Sequence, residues 1–398
     1  MKLLYDKIPY WGEEPEEQTQ QQIVACERTS DHCAFMADHH LGYAVPVGGV
    51  VAYREQISPS GVGFDIACGN KAVRLDADAQ EVRRNISTIM DEVFGTLSFG
   101  MGMRNRERVD HELFDDDAWR IDAVKPHKEL ARKQLGTIGS GNHYVDLFVD
   151  EEDRVWIGVH FGSRGLGHKT ATWFLRKAGA KDGVHAQPAL LEADSQLGEE
   201  YIGAMELAGR YAYAGRDWVC DRVAKILGAK VVEEVHNHHN FAWREEHFGE
   251  MYWVIRKGAT PAFPGQMGFV GASMSEDAVI LQGKENPSDA GAEEQRMAMY
   301  STVHGAGRVL SRSMAKGKVN KRTGEVYREP KVTSEMLHES VAEAGVVLRG
   351  AGVDESPHCY KRLSEVLQEH AETVEIVHRL KPIGVAMAGP EIYDPFKD

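Results

Sequence analysis

The stretch "VHNHHNF", residues 235–241, puts three histidines into four positions ahead of a tryptophan and a run of acids. Such spacing suits a metal site, a proton relay or a chance cluster. In "GVGFDIACGN" Asp65 and Cys68 stand three apart between glycines, so a carboxylate and a thiolate could meet one cation at a tight turn. A buried cysteine beside a turn aspartate is the plainer alternative. "GTIGSGNHYVDL" sets Asn142 and His143 at the edge of a Gly/Ser loop, and "VHFGSRGLGHK" sets His160 before Gly162, Ser163 and Arg164. Loops of this kind offer backbone N–H groups to phosphate oxygens, or simply end a strand. Neither spells a P-loop or a dinucleotide fingerprint. In "YSTVHGAGRVLSR" His304 ends a β-branched run, with Gly305, Ala306 and Gly307 before Arg308 opens a helical pattern. A phosphoryl group there would meet helix amides and Arg308, and a neutral imidazole nitrogen could attack it. Taken alone, His304 reads more simply as a satisfied histidine at a turn.

The elements that must position these groups are mixed α and β. Residues 79–94 place Val82, Ile86, Ile89, Met90 and Val93 on one stripe, as a helix packed on a core requires. Further helices are expected over about 190–227 and 360–367. β-like runs occur from Tyr43 and Lys71 and over 143–150, 155–161, 251–259 and 277–283. Polar candidates cluster at the ends of these runs. No repeat, linker or compositional break divides the chain, so one α+β domain over 1–398 is expected. The acidic "EEPEEQTQQQ" reads as a solvated loop.

Composition narrows the function. With 42% hydrophobic residues the chain buries a large core, and no apolar run approaches the ~20 residues that span a bilayer. A cytoplasmic protein is expected. Five scattered cysteines without a CxxC pair argue against a disulfide framework. A net charge of −15 means that any polynucleotide partner must use a local patch. Residues 308–322 hold six Lys or Arg and no acid, which suits such a patch or a solvated helix face followed by a loop.

Taken in order, "MADHHLGYAVPVGG", "GVGFDIACG", "GSGNHYVD", "HFGSRGLGH", "HHN", "RKGA" and "HGAGRVLSR" resemble the motifs of the RtcB family of RNA ligases over most of the chain. The resemblance implies a central β-sandwich flanked by helices. It implies joining of an RNA 3'-phosphate or 2',3'-cyclic phosphate end to a 5'-hydroxyl end with GTP and manganese. Asp65, Cys68, His143, His160 and His239 would be ligands for one or two Mn²⁺, with Cys68 bridging; His239 fits the family's "HN" pair, leaving His236 and His238 as neighbours. His304 would be the nucleophile that accepts GMP. Asn142, Asp146, Asn240, Ser273 and Gly305, Ala306 and Gly307 would hold the nucleotide, and Asp38 would assist near the RNA end. Arg164 and Arg308 are candidate phosphate contacts. A protein activator, and monomer or homodimer, are left open.

Four departures from the family pattern lie near the nucleotide. Ala388 stands where a lysine is expected, and Asp146 replaces the usual glutamate that reads guanine. Ala278 takes the place of a pocket serine, and the chain runs on with "PEIYDPFKD". Two other classes therefore compete: a metal-dependent phosphodiesterase or phosphatase that has lost guanylate transfer, and a non-catalytic RNA-binding paralogue using the basic patch.

Overall fold

The computed structural model describes residues 1–180, 186–319 and 325–392. Two largely antiparallel sheets form its centre. The first runs in the order Lys2–Leu4, Ile8–Tyr10, His32–His40, Val47–Tyr53, Glu250–Lys257 and Asn240–His247. The second runs Val231–His238, Gly69–Asp78, Arg154–His160, Tyr144–Asp150, Val374–Met387, Ala278–Gly283 and Met267–Val270, with Val347–Arg349 beside Val374–Met387. Alternation along each strand gives each sheet two apolar faces. Inner-face residues Ala34, Val50 and Val254 of the first sheet join Val270, Val279 and Leu281 of the second in one cluster. That is the sandwich the sequence led us to expect.

Helices cover the outer faces. The expected helix is observed as Ala79–Thr96, capped by Asp78, whose carboxylate accepts from the Glu81 N–H at 2.7 Å. Val82, Met90 and Val93 are buried, and Ile86 and Ile89 pack against the same cluster. The helix expected near 190–227 is Gln196–Ile226; its first half packs on the first sheet and its last turns on the second. The final expected helix is shorter, Leu363–Gln368.

Register explains how distant motifs converge. His160 lies opposite both Asn70 and Tyr144, Tyr144 lies opposite Met387, and His238 lies opposite Gly69. Cys68, His143 and His239 immediately flank these positions. One edge of the large sheet thus presents them all. His239 sits where the chain leaves the second sheet at His238 and enters the first at Asn240.

Two readings of local structure are corrected. Arg308 does not open a helix: the segment after His304 is irregular, Arg308 bridges Tyr360, and the helix spans only Arg312–Lys316. Competition from Asp354 and Glu355 for the arginines holds this segment in place. The acidic N-terminal stretch is not a solvated loop, since Glu17–Glu27 is a helix and Glu13, Glu14 and Glu16 line the central cleft. Lys321 and Arg322 of the basic patch, and the end of the chain beyond 392, lie outside the described residues.

Candidate active site

A cleft of about 930 Å³ opens between the two sheets, and the chemistry-bearing side chains line it. Cys68, His143 and His160 form a buried group in it, with ligand atoms all within 4.8 Å of one another. The Cys68 sulfur lies 3.2 Å from His160 Nε2 and 3.6 Å from His143 Nε2. Asp65 Oδ2 lies 3.1 Å from His143 Nε2. The His239 ring stands edge-on to His160 at 5.0 Å between centroids, and its Nδ1 is buried without a partner among the described residues.

Burial alone would raise the Asp65 carboxyl, but the hydrogen bond and charge of His143 and the nearby Arg164 bring it down to about 2. Burial, then the other histidines and Arg216 around them, push His160 and His239 well below the ordinary histidine value, so both offer neutral nitrogens. Burial and the Asp65 charge push the Cys68 thiol well up, which makes thiolate formation depend on an arriving cation. A thiolate, imidazoles and a carboxylate, with an orphaned ring nitrogen beside them, fit a borderline divalent cation.

Glycine makes the turn at this group possible. A Cβ on Gly162 would lie 2.2 Å from Asp65 Oδ1 and 3.0 Å from Cys68 Cα. One on Gly139, whose φ is +94°, would lie 2.1 Å from Arg164 Nη2. These glycines therefore serve to admit protein side chains.

His304 closes the other side of the cluster, its ring 4.9 Å from that of His239. Asp38 lies beneath it, wholly buried. Its Oδ2 pairs with His304 Nδ1 at 2.6 Å and accepts the backbone N–H groups of His304 at 3.1 Å and Gly305 at 3.3 Å. Burial would raise the Asp38 carboxyl, yet His304 and these N–H groups hold it below the usual range. With Nδ1 facing the carboxylate, Nε2 is left to face the cleft. Asp38 is thus a clamp on His304.

The family model described as tRNA-splicing ligase RtcB matches residues 20–122 and 115–388. The chain belongs to the RtcB family. It is 29% identical to the RNA-splicing ligase RtcB of Escherichia coli (strain K12), covering 88% of this chain and 89% of that one. It is 31% identical to the tRNA-splicing ligase RtcB of Thermococcus kodakarensis, covering 88% and 86%, and 30% identical to that of Archaeoglobus fulgidus, covering 88% and 86%.

Within this RtcB-family cleft the remaining candidates fall at two ends. Asn142, Asp146, Ser273, Asn240 and Gly305 to Gly307 all line it. Asn240 also braces the wall, accepting from the Gly258 N–H at 2.8 Å. Asp146 is almost fully buried with one oxygen unpartnered, and burial pushes its carboxyl well up against a single backbone hydrogen bond from Ala386. Ala388 and Ala278 do not line the cleft; they are buried in apolar clusters, and Val385 and Met387 face the cleft instead.

Arg164 opens the helix Arg164–Lys177 and reaches His143 Nδ1 at 3.3 Å, beside the cluster. Arg308 lines the cleft and is also held by the protein itself. Its guanidinium is committed to the Leu310 and Asp354 carbonyls, Glu355 and the Tyr360 hydroxyl. Arg312 pairs with Glu355, and Lys316 with Asp354 at 3.0 Å, so buried acids hold this cationic wall. The acids were missed because nothing in "GVDESPHCY" announces that Asp354 and Glu355 face "RVLSR". Lys257, in the quoted "RKGA", also lines the cleft, and burial lowers its ammonium to about 8.

Proposed function

We propose that the chain joins an RNA 3'-phosphate or 2',3'-cyclic phosphate end to a 5'-hydroxyl end, using GTP and Mn²⁺, through a guanylylated His304. The observation that carries this reading is the Asp38-clamped His304 imidazole beside the Asp65, Cys68, His143, His160 and His239 group in one cleft. The relatives' names, tRNA-splicing and RNA-splicing ligase, support the substrate class.

His304 Nε2 attacks the α-phosphorus of GTP; an N–P bond forms and pyrophosphate leaves. Asp38 stabilises the positive charge that develops on the ring. An oxygen of the RNA 3'-phosphate then attacks that phosphorus, the imidazole leaves, and the 3' end carries a pyrophosphate-linked guanosine. The 5'-hydroxyl finally attacks the 3'-phosphorus and GMP leaves. A cyclic phosphate must first be opened by water. Mn²⁺, as one or two ions held by the five donors, would supply charge neutralisation at the reacting phosphates. Asn142, Ser273 and the amides of Gly305 to Gly307 hold the nucleotide, and Arg164 holds a phosphate. The chain acts as one catalytic domain over 1–398 on cytoplasmic RNA.

Incubation with Mn²⁺ and α-labelled GTP tests this directly. Covalent label is expected on the wild type and not on His304→Ala; label retained by His304→Ala contradicts it. One observation favours a second reading, a metal-dependent phosphodiesterase or phosphatase. Asp146 is buried, and among the described residues only a backbone hydrogen bond from Ala386 opposes the rise of its carboxyl, which disfavours the carboxylate that would accept guanine N–H groups. Cyclic-phosphate opening without nucleotide, and no joining, selects it.

A further inference from the structure

The long helix Gln196–Ile226 carries Arg216 into the interior directly behind the metal-ligand group, with no exposed surface. Its Nε donates to His236 Nε2 at 2.7 Å and its Nη2 contacts His238 Nδ1 at 3.0 Å. Its Nη1 donates to the carbonyls of Ala67 at 3.1 Å and Phe161 at 2.5 Å. Tyr213 lies against the guanidinium at 5.2 Å and stacks on His238 at 4.0 Å. None of these partners is a carboxylate. A guanidinium keeps its protons, so both histidine nitrogens facing it must act as acceptors.

The four acceptors are not a random set. Ala67 precedes Cys68, Phe161 follows His160, and His236 and His238 lead into His239. One rigid planar fork therefore spans the three segments that deliver those donors. Gly69 is required first by the neighbouring strand, since a Cβ there would lie 2.3 Å from the Asn237 carbonyl oxygen, and Arg216 Nη1 packs beside it at 3.1 Å.

We infer that Arg216 is the positioning residue of the metal centre, and that His236 and His238 act as its supports rather than as ligands. This rests on the reading of Cys68, His160 and His239 as metal donors. Without the fork two buried carbonyls lose their donor, and the turns bearing Cys68 and His160 lose the tie that holds their ligand atoms 3.2 Å apart.

The test is titration of the full chain with Co²⁺, following affinity and the near-ultraviolet thiolate-to-cobalt band, with thermal unfolding as the control for folding. Arg216→Met is expected to bind roughly 10–100-fold more weakly with a diminished band. His238→Leu, which removes one acceptor and keeps the arginine, is expected to shift both readouts the same way, and serves if Arg216→Met does not fold. His238→Gln, whose amide oxygen still accepts, is expected to recover most of the loss. Wild-type affinity and band in both Arg216→Met and His238→Leu, or in His238→Leu where Arg216→Met does not fold, would overturn the assignment. A wild type that binds no Co²⁺ would overturn the metal reading itself.

Discussion

The pairing of Asp38 with His304 fixes which ring nitrogen is free, and a single oxygen-to-nitrogen change probes it. Asp38→Asn keeps the volume but removes the charge that stabilises a developing imidazolium. Guanylylation should slow by roughly 10²–10⁴-fold in a labelling time course, with the protein still folded; an unchanged rate would show that Asp38 only braces the backbone. Gly162→Ala drives a methyl group into Asp65 and the Cys68 backbone. It should weaken Mn²⁺ binding at least tenfold by calorimetry, and equal affinity would contradict the packing described. Asp65, Cys68, His143, His160 and His304 were legible because each sits in a short motif with its own turn glycines. Arg216, Asp354 and Glu355 were not. Their partners lie in distant segments, so each looks locally like an ordinary helix arginine or loop acid.

Strand ends gather the site. The runs at 143–150, 155–161, 251–259 and 277–283 read correctly as strands because β-branched and aromatic residues alternate or run unbroken there. The strand Val374–Met387 escaped notice: Glu375, His378 and Arg379 interrupt its apolar residues without strict alternation, and Pro382 sits at a register shift. Val231–His238 and Asn240–His247 were equally hidden, because polar histidines and glutamates mask their alternation. That concealed the crossover that aims His239 into the cleft. Sheet packing behind His160 is tight at Gly158, where a Cβ would come within 2.6 Å of Phe148 and 2.7 Å of Phe269. Gly158→Ala should cost about 1–3 kcal/mol in urea unfolding. A loss below ~0.5 kcal/mol would mean the rings move aside freely.

At the scale of the molecule, a net charge of −15 meets a polyanionic substrate, so cations must be local. The wall of Arg308, Arg312 and Lys316 is placed by its own acids, which spend much of that charge internally. The whole fold should also be acid-sensitive. Burial holds His370 down to about 4, and burial with the Lys361 charge holds His39 to about 4. The unfolded chain takes up protons below about pH 6.5 while the folded one does not until about 4. Stability present above pH 6.5 is therefore lost as pH falls through 4, and calorimetric melting temperature should drop across that window; a flat profile would contradict the burial of these rings. The most direct measurement of the central claim is a joining assay with a 3'-phosphate RNA strand and a labelled 5'-hydroxyl strand. Mn²⁺ and GTP together should give the sealed phosphodiester in the wild type, and neither His304→Ala nor Cys68→Ala should. Sealing that persists in His304→Ala, or that needs no nucleotide, would contradict the account.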